Sequence, residues 1–166
     1  MRFLNRWFSR FRSSPPADPS PPPERILGPE ERIARFLHHR SHFSRPTGVV
    51  KHTAFQPPST ETGISVAHVT ALADPQIWEI ARATLNEASG RGQVVGRADL
   101  AVATVQQQGL AAVRDDLGFP RHTTLGGWPV RADLNEQREI RKQIALRLGD
   151  AAELRLSDPP IVVESR

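Results

Sequence analysis

Residues 28–41 read GPEERIARFLHHRS, and the form taken by this stretch decides how the rest of the chain can pack. Pro29 suits a first helical turn, where its missing N–H costs nothing, and Glu30 and Glu31 sit well near the positive end of a helix dipole. Ile33, Phe36 and Leu37 recur at i, i+3 and i+4, the spacing of one helical face. The spacing predicts a helix that opens at Ile26-Leu27-Gly28-Pro29 and closes near Arg40 or Ser41.

Downstream, Val49 to Phe55 and Ile64 to Leu72 read as strands separated by a Pro/Ser/Thr/Gly turn region. In the second, Ile64, Val66, His68 and Thr70 share a face. Asp74-Pro75 starts a helix whose buried candidates are Ile77, Trp78, Ile80, Ala81 and Leu85, with Gly90 as its end. Val94 to Arg97 reads as a short strand, Asp99 as the cap of a short helix ending at Gly109, and Leu110 to Val113 as another strand. Arg114 to Arg131 reads as a long irregular loop. Asp133 and Glu136 form a capping pair for a last helix with Ile140, Ile144 and Leu148 as its stripe and Gly149 as its stop. A strand at Leu154 to Leu156 follows.

Helices and short strands interleave without βαβ spacing. The expected class is α+β: a small, mostly antiparallel sheet packed on one side by three to four helices, preceded by an N-terminal amphipathic helix and a Pro-rich linker. The expected organisation is a basic arm at 1–14, the linker at 15–24, one globular domain at 25–157 and a tail at 158–166.

The arm is MRFLNRWFSRFRSS. On a helix Leu4, Trp7, Phe8 and Phe11 make one apolar stripe while Arg2, Arg6 and Arg10 repeat every four residues on another face. So short a helix is marginal alone in water and gains order on contact with a surface. An anionic bilayer, a partner groove and the domain's own core all qualify, and an organellar presequence carries the same signature. Pro at 15, 16, 19, 21, 22 and 23 favours an extended spacer that holds the arm off the core.

The 166 residues carry a net charge of +4. Residues 1–46 hold nine Arg against Asp18, Glu24, Glu30 and Glu31, so the basic character is local and points to one docking patch. The chain has no Cys, which excludes disulfides, thiolate nucleophiles and Cys-based metal sites. No apolar run approaches the roughly 18 residues of a membrane span. The expected location is cytoplasmic, with peripheral membrane contact through the arm as an extension.

Three clusters bear on chemistry. The long loop holds Arg121, His122, Thr123, Thr124, a Gly pair and Trp128, which together suit an anionic, ring-bearing ligand, with Trp128 as a stacking plate or as the core anchor of a tight turn. The His-rich stretch places His38 and His42 four apart, with Arg35, His39 and Arg45 around them, as an anion-binding patch or a solvated helix end. No third ligand is implied by the spacing, so neither a metal nor a cofactor is expected. Asp115-Asp116 reads as an ordinary exposed pair. His68-Val69-Thr70-Ala71 and His122-Thr123-Thr124-Leu125, eight residues in all, resemble the paired His-x-Thr-x motif of the two-histidine phosphoesterases, which implies one His as base and the other as acid.

Two functions are therefore expected of the chain. One is a non-enzymatic accessory or adaptor that docks on a partner protein or anionic membrane through the arm. The other is a nucleotide- or RNA-acting enzyme or binding module using Arg121, His122 and Trp128, with His38 and His42 as further catalytic groups.

Overall fold

Arg32 to Leu37 form a strand, not a helix. The computed structural model describes residues 24–87 and 92–162, and in it this strand lies between two others near the middle of a sheet. Ile33 and Leu37 point to one side while Ala34 and Phe36 point to the other, and all four are buried. A strand covered on both faces loses its polar alternation, so its apolar positions can fall at i, i+3 and i+4 as readily as a helix's. Glu31 does not serve a helix dipole. Its carboxylate accepts the Gly28 N–H at 2.7 Å and closes a turn ahead of the strand.

In chain order the elements are β1 (Arg25–Ile26), β2 (Arg32–Leu37), β3 (Ile64–His68), α1 (Asp74–Glu87), β4 (Gln93–Ala101), α2 (Val102–Gln107), β5 (Ala111–Arg114), β6 (His122–Gly126), α3 (Leu134–Ala151) and β7 (Glu153–Val162). The strands make one seven-stranded sheet in the order β1-β5-β6-β3-β2-β4-β7, with every pairing antiparallel.

This corrects the expected small sheet with three to four helices on one side. Among the described residues there are three α-helices, and they divide between the two faces. On one face Ile33, Leu37, Val66, Leu100 and Leu125 pack with Val102 and Val105 of α2 and Ala145 and Leu148 of α3. On the other, Ala34, Phe36, Ala67 and Val94 lie under Ile77, Ile80, Ala81 and Leu85 of α1. Burying each large aliphatic or Phe side chain contributes about 1.5–3 kcal/mol, so both layers are needed. The expected N-terminal helix falls on residues outside those described.

Other elements differ in detail. Val49 to Phe55 holds one isolated bridge, Phe43 to Val50, and a 3₁₀ turn at His52–Ala54 instead of a strand. Asp99 lies within β4, which runs on to Ala101 before α2 begins. The long loop contains β6, and the last strand extends to Val162 through Pro159 and Pro160, tolerated because β7 is a sheet edge. Asp133 caps α3 as its spacing suggests, accepting from the N–H groups of Asn135 at 2.8 Å and Glu136 at 3.3 Å. Gly149 does not stop that helix. A Cβ there would meet the Val50 carbonyl oxygen at 2.5 Å, so glycine lets α3 close on the chain just before the 3₁₀ turn at His52–Ala54.

Two buried arginines organise the remainder. Arg141 of α3 donates to the carbonyls of Pro129 (2.9 Å), Pro58 (3.0 Å) and Glu61 (2.9 Å), gathering the approach to β3 and the exit from β6 around one guanidinium. Arg97 of β4 donates to Asp99 at 2.9 Å and to Asp74 of α1 at 2.7 Å, with Trp78 stacked 4.7 Å away. No helix among the described residues is long and apolar enough to cross a membrane.

Candidate functional site

Strands β3 and β6 are hydrogen-bonded neighbours, in a register that sets Ser65 opposite Thr124 and Ala67 opposite His122. Opposed residues share a face, and so do residues two apart along a strand. Ser65 and His122 therefore both project toward the α1 side. The Ser65 hydroxyl lies 2.9 Å from His122 Nε2.

Asp115 completes the group. It follows β5 directly, and its N–H donates to the His122 carbonyl at 3.1 Å, which closes the β5–β6 hairpin and carries its carboxylate under the ring. Asp115 Oδ1 is hydrogen-bonded to His122 Nδ1 and accepts the Leu117 N–H at 3.0 Å, while Oδ2 accepts the Thr124 hydroxyl at 2.9 Å. Burial works to raise the pKa of this carboxyl, but its donors, His122 foremost, outweigh burial and hold it below the ordinary carboxylate range. An ionised carboxylate only accepts, so Nδ1 carries a proton, and when the ring holds one proton its Nε2 lone pair faces the serine hydroxyl. The Phe119 ring meets His122 edge-on, 4.8 Å between centroids, and limits its rotation.

The relay opens on a cavity of about 280 Å³ whose wall includes Phe36, His38, Ser65, Thr84, Phe119 and His122. Thr84 donates its hydroxyl to the Ala81 carbonyl at 2.7 Å. His38 Nδ1 lies 2.8 Å from the Gln93 carbonyl, and a carbonyl can only accept, so that nitrogen carries its proton. Arg35 also borders the cavity, with its guanidinium donating to the carbonyls of Ala54 and Ser65.

His122 and His38 thus line one cavity. His42 does not border it and packs edge-on against His39 at 5.4 Å. Thr123 is fully buried on the opposite face of the sheet, and Arg45 sits in an exposed turn. Trp128 is 3% exposed and donates to the Leu125 carbonyl at 3.0 Å, so it anchors a turn in the core and offers no ring for stacking. Asp115 is buried, not an exposed partner of Asp116. His68 is next to Ala67, the residue opposite His122, so the two histidines of the His-x-Thr-x pair point to opposite faces and cannot act on one phosphate. Arg121 lies with His68. Arg2, Leu4, Arg6, Trp7, Phe8, Arg10 and Phe11 lie outside the described residues.

Of the three residues that the structure joins here, the sequence names His122 as a candidate and does not single out Ser65 or Asp115. Ser65 had one available signal, alternation within Ile64-Ser65-Val66-Ala67, which turns it away from Ile64 and Val66. Among the described residues no cluster of three or more His, Asp or Glu could hold a metal ion. No family model, curated protein or solved structure matches this chain.

Proposed function

We propose that this protein is a hydrolase of small acyl compounds, esters or amides, with Ser65 as nucleophile. The observation that carries the reading is the continuous hydrogen-bonded series Ser65–His122–Asp115 opening on the cavity. Such a series is recognised by the roles its members can take and not by fold or chain position.

Ser65 Oγ attacks the acyl carbon as its proton passes to His122 Nε2. Asp115 stabilises the imidazolium and holds the ring in the tautomer that left Nε2 open. The tetrahedral intermediate collapses, His122 protonates the departing alkoxide or amine, and an acyl-Ser65 remains. Water, deprotonated by His122, then releases the acid and restores the hydroxyl.

The wall favours an uncharged, compact acyl group. Its volume is at the low end for ligand pockets, and Phe36 and Phe119 supply apolar surface. The Arg35 guanidinium is engaged with carbonyls, which disfavours a phosphate group there.

The test is turnover of p-nitrophenyl acetate and butyrate, together with fluorophosphonate labelling followed by peptide mapping. Turnover and an adduct on Ser65 are expected, both lost in Ser65→Ala. Neither activity nor a Ser65 adduct in the wild-type protein would sink the proposal.

A further inference from the structure

Where the ends of β1, β5, β6 and β3 come together, on the face away from the cavity, three guanidiniums surround one imidazole. His68 is buried, and its Nδ1 faces Arg121 Nη2 at 3.1 Å and Arg114 Nη1 at 3.4 Å. Guanidiniums only donate, so Nδ1 must be the bare nitrogen and Nε2 carries the proton. That nitrogen lies 3.1 Å from Glu31 Oε1, close enough for attraction but too poorly aligned for a good hydrogen bond. Nδ1 has one lone pair, yet two donors aim at it. Arg121 Nη2 also donates to the Thr70 carbonyl at 3.2 Å, which leaves Arg114 Nη1 as the donor in surplus.

A second donor is also short of an acceptor. Arg121 Nε is buried with no hydrogen-bond partner. The Arg121 backbone is held at φ 64°, a conformation side chains seldom adopt, with its N–H donating to Asp116 Oδ1 at 2.6 Å. Local strain of this kind is kept where surrounding contacts impose it. Arg114 gives its Nε to both oxygens of Asp116 at 3.0 Å, and Arg25 pairs with Glu31. The group therefore counts Arg25, Arg114 and Arg121 against Glu31 and Asp116, one positive charge in excess. Burial and the neighbouring Arg114 both disfavour the charged form of Arg121, so an added anion would relieve the crowding.

We propose that this cluster at the strand ends is a binding site for a phosphate group, held by Arg114 and Arg121 across His68. A tetrahedral oxyanion offers several acceptors at the spacing of guanidinium forks, and it would satisfy both surplus donors at once. Arg25 is exposed and Arg114 partly so, which puts the group within reach of an anion from solvent.

The experiment is titration of the full chain with inorganic phosphate and with methyl phosphate. It is read by ³¹P NMR line broadening and by melting temperature, against chloride and acetate at matched ionic strength. Saturable binding of phosphate or of its monoester is expected, with acetate at least tenfold weaker. Arg121→Gln and Arg121→Lys should each weaken binding tenfold or more, the second because it keeps the charge and loses the fork. Line broadening on the wild-type protein decides the matter if either variant folds poorly. Binding no tighter than acetate, or binding that survives Arg121→Lys unchanged, would overturn the proposal. Ser65→Ala should bind phosphate normally, so failure of the acyl-hydrolase reading and failure of this one are separable.

Discussion

The Ser65 hydroxyl and His122 Nε2 meet at 2.9 Å across two adjacent strands, although 57 positions separate the residues in the chain. Asp115 reaches the far nitrogen of the same ring from the end of the neighbouring hairpin strand. An amide in its place would favour the wrong tautomer. Asp115→Asn should therefore lower kcat for an acyl ester by about 10⁴-fold while far-UV circular dichroism stays unchanged. A loss under tenfold would mean that Asp115 does not orient His122 for the reaction.

The ion group under α1 predicts stability and not rate. Arg97 is almost fully buried and serves Asp99 and Asp74 together. Burial raises the Asp99 pKa and Arg97 opposes this, so removing the guanidinium leaves a buried carboxylate without its partner. Arg97→Met should cost about 3–5 kcal/mol in urea unfolding. The double variant Arg97→Met, Asp99→Leu should recover much of that, because an apolar pair needs no counter-charge.

Gly149 predicts a purely steric effect. Its absent side chain leaves room for the Val50 carbonyl, which is backbone and cannot swing aside. Gly149→Ala would gain about 1 kcal/mol of helix propensity in open solvent. Here it should instead lower stability by about 1–3 kcal/mol, and a rise in Tm would show that α3 can shift outward at no cost.

His68 predicts a pH dependence. Burial, then the nearby Arg121, holds its pKa below the ordinary histidine value, with Glu31 opposing. The unfolded chain therefore takes up a proton near pH 6.5 that the folded protein refuses. The stability contributed by the neutral ring is full above that pH and is lost as pH falls toward the folded pKa. His68→Gln keeps a donor and an acceptor without titrating. The stability difference between wild type and His68→Gln should shift in favour of the variant between pH 7.5 and 5.5. A constant difference across that range would show that His68 titrates alike in both states.

Local signals carried α1 and α3 well. Asp74-Pro75 and Asp133 mark starts that depend on a few neighbouring residues, and the aliphatic stripes follow one face. The same logic misread Arg32 to Leu37, because burial on both sides is a property of the finished sheet and leaves no mark distinguishing it from a helical face. Strand β6 was hidden by its neighbours, Pro120 before it and Gly126-Gly127 at its end, which speak for a loop. His122 stood out by its residue type. Ser65 and Asp115 did not, since a serine in a strand and an aspartate after one are ordinary until β3, β5 and β6 are laid side by side.

In this protein the gap between the Ser65 hydroxyl and His122 is inherited from the spacing of adjacent strands, about 4.8 Å in any ladder. The β5–β6 connection, whose Leu117, Gly118 and Phe119 border the cavity, does not set that length. Changes at Leu117 and Gly118 would therefore reshape the cavity while Ser65 and His122 keep their separation, so that under the proposed reading selectivity can be re-engineered apart from reactivity.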